Sequence, residues 1–500
     1  MDLDTLQSAF LLLARLDVLV ALLIGSIGGV IIGAIPGVGP PVAIAILLPA
    51  TFAFDPLVGL TALLGIYGSS MYGGAIPAIL INTPGTPVNA LTTYNGYPMT
   101  QRGEAQRALS LAYAASFFGG VFSIVCLILF APVLAKVAPM FGSREIFLAA
   151  LLGVVLVIVA HRGQVLAAGM LCFFGIFLST VGLEPVRYTR RYTFDQTWLA
   201  SGVDLIAVVL GLFAISQAFV LLVEPNHRPR AAKLTGSLWR GMAEVLRHKR
   251  VATVSAGTGV TMGMLPGVGE FTSQFLSYTY AQRTSKTPEQ FGKGSAEGLV
   301  ASEASNNSVP AAAMVPLLAL GIPGEELTAM MLSVFYVHNV VPGPGLFQNR
   351  LDFVVALYLA LLILNVMVIL FLLSSTRLML KVIEVPTRFL GAAILVLSFV
   401  GAWSMRNSIT DVAVAAGFGV FGFILRRLDL PIVPVILGMV LGVILETRLR
   451  TAMMRVNAPL DFIDRPIAAV LFGMIVLVVG LQLVSGVRAV LGRRRAANRA

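Results

Sequence analysis

The sequence predicts an all-α polytopic membrane protein of two repeat halves. The second is expected to be inverted relative to the first, and each to carry broken or re-entrant helices near the bilayer midplane. Three observations carry this prediction. The first is composition: of 500 residues, 57% are hydrophobic and 12% charged, with mean hydropathy +0.89. A soluble domain carries roughly twice that charged fraction. The second is a set of charge-free runs, 18–54, 56–101, 108–135, 304–324 and 353–376, each reaching the ~20 residues that span a bilayer. Further apolar segments lie near 146–160, 164–183, 205–223, 251–269, 389–405, 412–425, 430–445 and 467–487. The third is an internal repeat, in which "GAIPGVG" (33–39) returns as "GMLPGVG" (263–269).

Taken in order, the N-terminal stretch "MDLDTLQSAFLLLARLDVLV" sets Asp2, Asp4 and Asp17 against Arg15 alone. It lacks the basic region of a cleavable signal and reads as a retained segment that starts outside. The next apolar run is interrupted at Pro36, Gly37, Gly39, Pro40 and Pro41, residues that break a helix. A second break follows in "INTPGTP" (81–87), and its counterpart is "LGIPGEE" (320–326). A shift of 230 residues aligns the first breaks; a shift of 239 aligns Pro84–Gly85 with Pro323–Gly324 and Pro77 with Pro316. The nine additional residues fit the polar loop "RTSKTPEQFGKGS" (283–295), where insertion costs little. Uninterrupted spans then fill 108–223 and 353–487. The expected organisation is a first half over 1–223, a basic linker over 224–250, a second half over 251–487 and a basic tail over 488–500. An outward start and an inward linker require an odd number of crossings between them, which inverts the second half.

The net charge of +11 resides between apolar spans, as the positive-inside rule expects, and not in a nucleic-acid-binding patch. The linker carries Arg228, Arg230, Lys233, Arg240, Arg247, Lys249 and Arg250, and the tail reads "GRRRAANRA". Both are expected in the cytoplasm. Cys126 and Cys172 fall in separate apolar spans and read as reduced packing residues rather than metal ligands.

Non-helical backbone at membrane depth is tolerated where protein buries it or where it lines a water-filled cavity. Each break frees amide N–H groups, which suit a carboxylate, and carbonyls, which suit a cation such as Na+. Polar residues cluster beside the breaks. Ser69, Ser70, Asn82, Thr83, Thr86, Asn89, Thr92 and Thr93 accompany the first pair; Glu303, Ser305, Asn306, Asn307 and Ser308 accompany the second. Hydroxyls and amides of this kind also simply link helices. Gly37, Gly39, Gly267 and Gly269, with Glu270, Glu303 and Glu325, are candidates for holding a coupling ion. Glu270 directly follows the second "PGVG", and Glu325 and Glu326 the second "PG". Intramembrane carboxylates tend to be functional, but a carboxylate at a helix N-terminus is equally a cap. His338 reads as a helix end.

Catalysis finds little support. His161, His227, His248 and His338 are scattered, and no H-E-x-x-H set or nucleophile–base pair stands out. The chain also lacks a G-x-x-x-x-G-K-[ST] phosphate loop, so an ATP-driven importer would need its ATPase in another protein. A gated channel and an intramembrane enzyme are the more distant alternatives.

The stretch 33–87 resembles the large membrane subunit of tripartite tricarboxylate transporters, as does 262–331, beginning "MGMLPGVGEFTSQFLSYTY". "RYTFDQTWLASGVDLIAVVLGLFAISQ" (191–217) and "PGPGLF" (342–347) add to the resemblance. It implies a secondary carrier of the bacterial cell inner membrane that imports small carboxylates with Na+ or H+ as coupling ion and without another cofactor. It implies two partners in the bilayer and periplasm: a small transmembrane subunit and a solute-binding protein. It also implies a substrate site at Asn82, Thr83, Pro84, Gly85 and Thr86, with Asn306, Asn307, Pro323 and Gly324; Ser69 and Ser70 are the nearby hydroxyls. The chain departs from the family pattern at Glu270, Glu325 and Glu326. Extra carboxylates repel a trivalent anion such as citrate unless cations or protons compensate, so a less charged carboxylate or another coupling ion is expected.

Overall fold

The computed structural model describes residues 3–161, 163–184, 188–224, 238–454 and 459–497. Arg228, Arg230, Lys233 and His227 of the linker lie outside them. The first half opens with α1 (Leu3–Leu13), α2 (Leu16–Gly33) and α3 (Gly39–Thr51), followed by α4 (Pro56–Ile81), α5 (Ala90–Gln101) and α6 (Ala105–Val137). Then come α7 (Ser143–Ala160), α8 (Val165–Ser179), α9 (Leu205–Val209) and α10 (Ser216–Val223), the last two joined by a π-helical stretch, Leu210–Ile215. A two-residue hairpin, Gly182–Leu183 with Arg190–Arg191, separates α8 from α9.

The second half begins in a similar order. After α11 (Leu238–Glu244) come α12 (Lys249–Gly263), α13 (Gly269–Thr284), α14 (Ala296–Leu320) and α15 (Glu326–Val337). A short α16 (Pro344–Asn349) precedes α17 (Leu351–Ile383), α18 (Thr387–Arg406), α19 (Ile409–Arg427), α20 (Val433–Met453) and α21 (Pro466–Ala497). Nine helices among the described residues are long and apolar enough to cross a membrane, whereas α3 and α15 are apolar but only 13 and 12 residues long. At 1.5 Å per residue they rise about 20 Å, short of a ~30 Å hydrocarbon core.

The repeat extends to individual contacts. Gly37 and Gly39 have φ of +81° and +63°, and Gly267 and Gly269 have +79° and +68°, values that residues with a Cβ rarely adopt. The left-handed cap of α4 is Asn82 and that of α14 is Gly321, and the 239-residue shift superposes them. The N–H of Thr83 donates to the Pro77 carbonyl and that of Ile322 to the Pro316 carbonyl, again in register. A Cβ on Gly29 would strike the Ser69 hydroxyl, and a Cβ on Gly259 would strike that of Ser308. Small residues thus let α2 approach α4 and α12 approach α14 backbone to backbone, the packing that membrane helices favour.

The chain forms two compact units, Met1–Ala138 with Asp204–Ile432, and Pro139–Val203 with Val433–Ala500. Each takes helices from both halves. In the first unit, α9, the π stretch and α10 pack on α18 and α19; in the second, α20 packs on α7 and α8. The helix that ends the first half and α20 of the second therefore each pack on a helix pair of the other half. Within the first unit, α11 rests on α6, where Arg107 donates to both carboxylate oxygens of Glu244 at 2.9 and 2.6 Å. This hydrogen-bonded pairing holds the Glu244 carboxyl below its ordinary range.

Two predictions follow from this packing. A Cβ at Gly33 would lie 2.2 Å from the Ser70 carbonyl oxygen, whereas one at Gly28 meets nothing within 4 Å. Gly33→Ala is expected to cost about 1–3 kcal/mol through overpacking, while Gly28→Ala stays within about 0.5 kcal/mol; thermal unfolding in detergent compares them. For Glu244 the depressed pKa means that the α11–α6 link is full above the unfolded carboxylate range, near 4.3, and is lost as pH falls through the lower folded value. Hydrogen exchange of 238–248 should quicken in Glu244→Gln at neutral pH; in wild type it should quicken only at acid pH.

Candidate functional site

The four breaks converge within the first unit. In the first half, Gly85 sits against the Gly33 carbonyl and the Cα of Gly74; in the second, Gly324 sits against the Gly263 carbonyl and the Cα of Ala313. The N–H of Gly267 also donates to the Gly324 carbonyl at 2.7 Å. The halves then exchange partners: α15 packs on α3, and α13 packs on the short helix Pro87–Asn89. Each short helix after a second break thus lies on the helix that follows the first break of the other half.

The sequence-predicted residues fall into distinct surroundings. Asn82 and Thr83 are exposed, Pro84 is half-buried, and Gly85 and Thr86 are buried. Asn82 and Pro84 line an open cleft with Thr93, Tyr94, Tyr97 and Pro98. Pro323 and Gly324 are buried; Gly37 is exposed, Gly39 buried, and Gly267 and Gly269 half-buried. Ser70 bonds its own helix at the Tyr67 carbonyl, while the Ser69 hydroxyl has no partner among the described residues.

Glu303, on α14, has no exposed surface. Its Oε1 accepts from Thr92 Oγ1 at 2.5 Å and Asn89 Nδ2 at 3.4 Å, and its Oε2 from Ser116 Oγ at 2.9 Å. Asn307 Nδ2 donates to the same Ser116 oxygen at 2.7 Å. One carboxylate therefore ties α14 to α5, α6 and the 87–89 turn, through neutral donors only. Hydrogen bonds to a charged acceptor are worth about 1.5–3 kcal/mol each, which offsets part of the cost of burying it.

The acids of the second break are held differently. Glu325 is the N-cap of α15 and shares a capping box with Thr328, whose hydroxyl accepts from the Glu325 N–H at 3.0 Å. Glu270 occupies the first turn of α13. Both are buried, and Oε1 of each lacks a hydrogen-bond partner among the described residues. Both lie within electrostatic reach of Glu326. The amide atoms of Gln274 and Asn306, both fully buried, also lack partners among the described residues. The corresponding first-half helix starts carry no acid: α3 begins Gly39–Pro40–Pro41, and the short helix begins at Pro87.

Sequence reasoning missed Ser116, Gln274, Asn365 and Asn95. Asn95, fully buried, accepts the Gly292 and Ser295 N–H groups at 3.0 Å each and donates to Tyr278, docking the inserted polar loop on α5. Asn365 is the lone amide in the charge-free run 353–376, and that isolation was a usable signal, because an amide in hydrocarbon needs a partner. Ser116 and Gln274 carried no comparable mark.

The family model described as "Tripartite tricarboxylate transporter TctA family" matches residues 19–437. A relative from Agrobacterium vitis, described as an uncharacterized 52.8 kDa protein in the TAR-I ttuC' 3'region, is 34% identical over 467 residues, covering 93% of each chain. An uncharacterized protein in the TAR-II ttuC' 3'region of the same organism is 33% identical over 232 residues, 46% of this chain and 96% of its own. No solved structure matches the chain.

The Glu303 network makes its own prediction. Thr92→Val keeps the side-chain shape but removes the shortest donor, and should destabilise the protein by about 1–3 kcal/mol. Thr279→Val, on an exposed hydroxyl bonded only to its own helix, should change little; thermal unfolding in detergent measures both.

Proposed function

Because the chain belongs to the tripartite tricarboxylate transporter TctA family, we propose that it is the large membrane subunit of a secondary carrier that imports small organic di- or tricarboxylates. The import is coupled to Na+ or H+, and the protein resides in the bacterial inner membrane. A periplasmic solute-binding protein delivers the substrate, and a small transmembrane subunit completes the complex. Transport by alternating access, with an elevator-like movement of the broken helices, is the mechanism this reading adopts. The reading takes the second half as inverted relative to the first, because an outward start and an inward linker require an odd number of crossings between them.

The observation that carries the reading is the asymmetry among four converging breaks. Helix N-termini attract anions. In the second half those positions are taken by Glu270 and Glu325, the protein's own carboxylates. In the first half no acid competes, and the adjoining cleft offers the Asn82 amide and the hydroxyl-bearing rings of Tyr94 and Tyr97. On this reading the substrate carboxylate binds at Asn82–Thr86, with Pro323 and Gly324 of the other half as the further candidates. The unpartnered acids of the second half are suited to a coupling cation or proton. Coupling is energetically required, since each net negative charge moved inward costs about 2.3 kcal/mol per 100 mV of inside-negative potential.

Uptake of labelled carboxylates by cells carrying the chain and both partners should saturate. It should stop when ion gradients are collapsed with ATP maintained. Asn82→Ala should weaken uptake about tenfold or more, the loss of one bond to a charged group, with membrane insertion intact. Uptake that persists without any gradient, or is unchanged in Asn82→Ala, would overturn the carrier or the site respectively.

A further inference from the structure

A small cavity between α4, α6, α14 and α17 is not used by the reading above. It measures about 10 Å³ and is lined by Gly68, Tyr72, Gly120, Asn307, Leu364 and Asn365 among others. That is room for about one water-sized sphere. We propose that it is a Na+ site, with Tyr72, Asn307 and Asn365 as oxygen ligands and Glu303 as the counter-charge. The proposal deepens the ion-coupled reading and rests on it only for the biological role of the ion.

The lining presents oxygen and no free donor. Asn307 is 4% exposed, and its Oδ1 has no hydrogen-bond partner. Its Nδ2 is committed to Ser116 Oγ and the Glu303 carbonyl. The Tyr72 hydroxyl donates to Asn365 Oδ1 at 2.7 Å, and Asn365 Nδ2 donates to the Leu361 carbonyl at 2.9 Å. What remains is the Asn307 oxygen, the phenolic lone pairs and the second lone pair of Asn365 Oδ1. Neutral oxygens in a tight space suit a monovalent hard cation; a divalent ion usually recruits carboxylates directly.

Two further features fit an ion rather than mere packing. A Cβ at Gly120 would come within 2.2 Å of Asn365 Oδ1, so glycine is what lets that amide turn toward α4. The charge is also supplied. Ser116 donates to Glu303 and accepts from Asn307, so the carboxylate polarises the Asn307 amide through one hydroxyl and enriches its free oxygen. Glu303 has only neutral partners among the described residues, and a cation held by Asn307, two hydrogen bonds away through Ser116, would balance it.

Binding of ²²Na+ to the purified full chain in detergent, with no carboxylate present, tests the site. Wild type should bind saturably, be competed only weakly by K+ and not by choline, and show a higher unfolding temperature in Na+ than in K+ at equal ionic strength. Tyr72→Phe, which keeps the ring and removes the ligand, and Glu303→Gln should each weaken binding about tenfold or more. Ser398→Ala, whose hydroxyl bonds only its own helix, should bind as wild type does. Absence of saturable binding to wild type would mean that the cavity holds a water only and would overturn the proposal, whether or not the variants fold. Wild-type affinity in Tyr72→Phe and Glu303→Gln would overturn it as well. Carboxylate uptake is a separate measurement, so its failure beside intact Na+ binding counts against the carrier reading and leaves the ion site standing.

Discussion

Backbone that leaves the helix at membrane depth must find its hydrogen bonds inside the protein, and everything around the four breaks answers to that requirement. Each half meets it in the same way. The second break is pressed against the end of the helix before the first, Gly85 on Gly33 and Gly324 on Gly263. The two defects of a half therefore shelter one another. The helices run through Pro77 and Pro316 and end at left-handed Asn82 and Gly321, and the carbonyls of those two prolines are bonded by the N–H groups of Thr83 and Ile322. Without glycine at the contact points the paired segments could not approach closely enough for this mutual cover.

Two kinds of buried carboxylate follow from the same geometry. Glu303 lies in the middle of a long helix, where no helix end is at hand, and it is stabilised by side chains from three other elements. Glu270 and Glu325 lie at helix starts, where the peptide dipoles already favour negative charge, and each keeps an oxygen without a partner. The first arrangement fixes a charge in place. The second leaves Oε1 of each acid without a hydrogen-bond partner among the described residues, so the two kinds of carboxylate differ in how fully the protein satisfies them.

Much of this was legible in the sequence. The apolar runs gave the helices, and "GAIPGVG" with "GMLPGVG" gave the first breaks, because glycine and proline act through local backbone geometry that needs no tertiary context. Glu303, Asn89 and Thr92 stood out as polar groups in apolar surroundings, although nothing local showed that they meet. Ser116 and Gln274 were invisible for a physical reason: serine and glutamine occur in many helices, and only the approach of another helix turns one into a ligand. Asn95 was hidden by the inserted loop 283–295, whose docking on α5 depends on packing between distant segments. The division of Asn82 and Asn307 between an open cleft and a small cavity between helices also lies beyond sequence, since both sit in similar polar strings.

The packing of α20 on α7 and α8 has a consequence for synthesis. Gly175 on α8 meets Val435 on α20, a partner made 260 residues later. Until then the face of α8 that carries Gly175 is without this partner. Closing such a distant pairing is slow compared with joining neighbours. The last helices thus complete the assembly, and a chain truncated before α20 would reach the membrane with two helices lacking their mate.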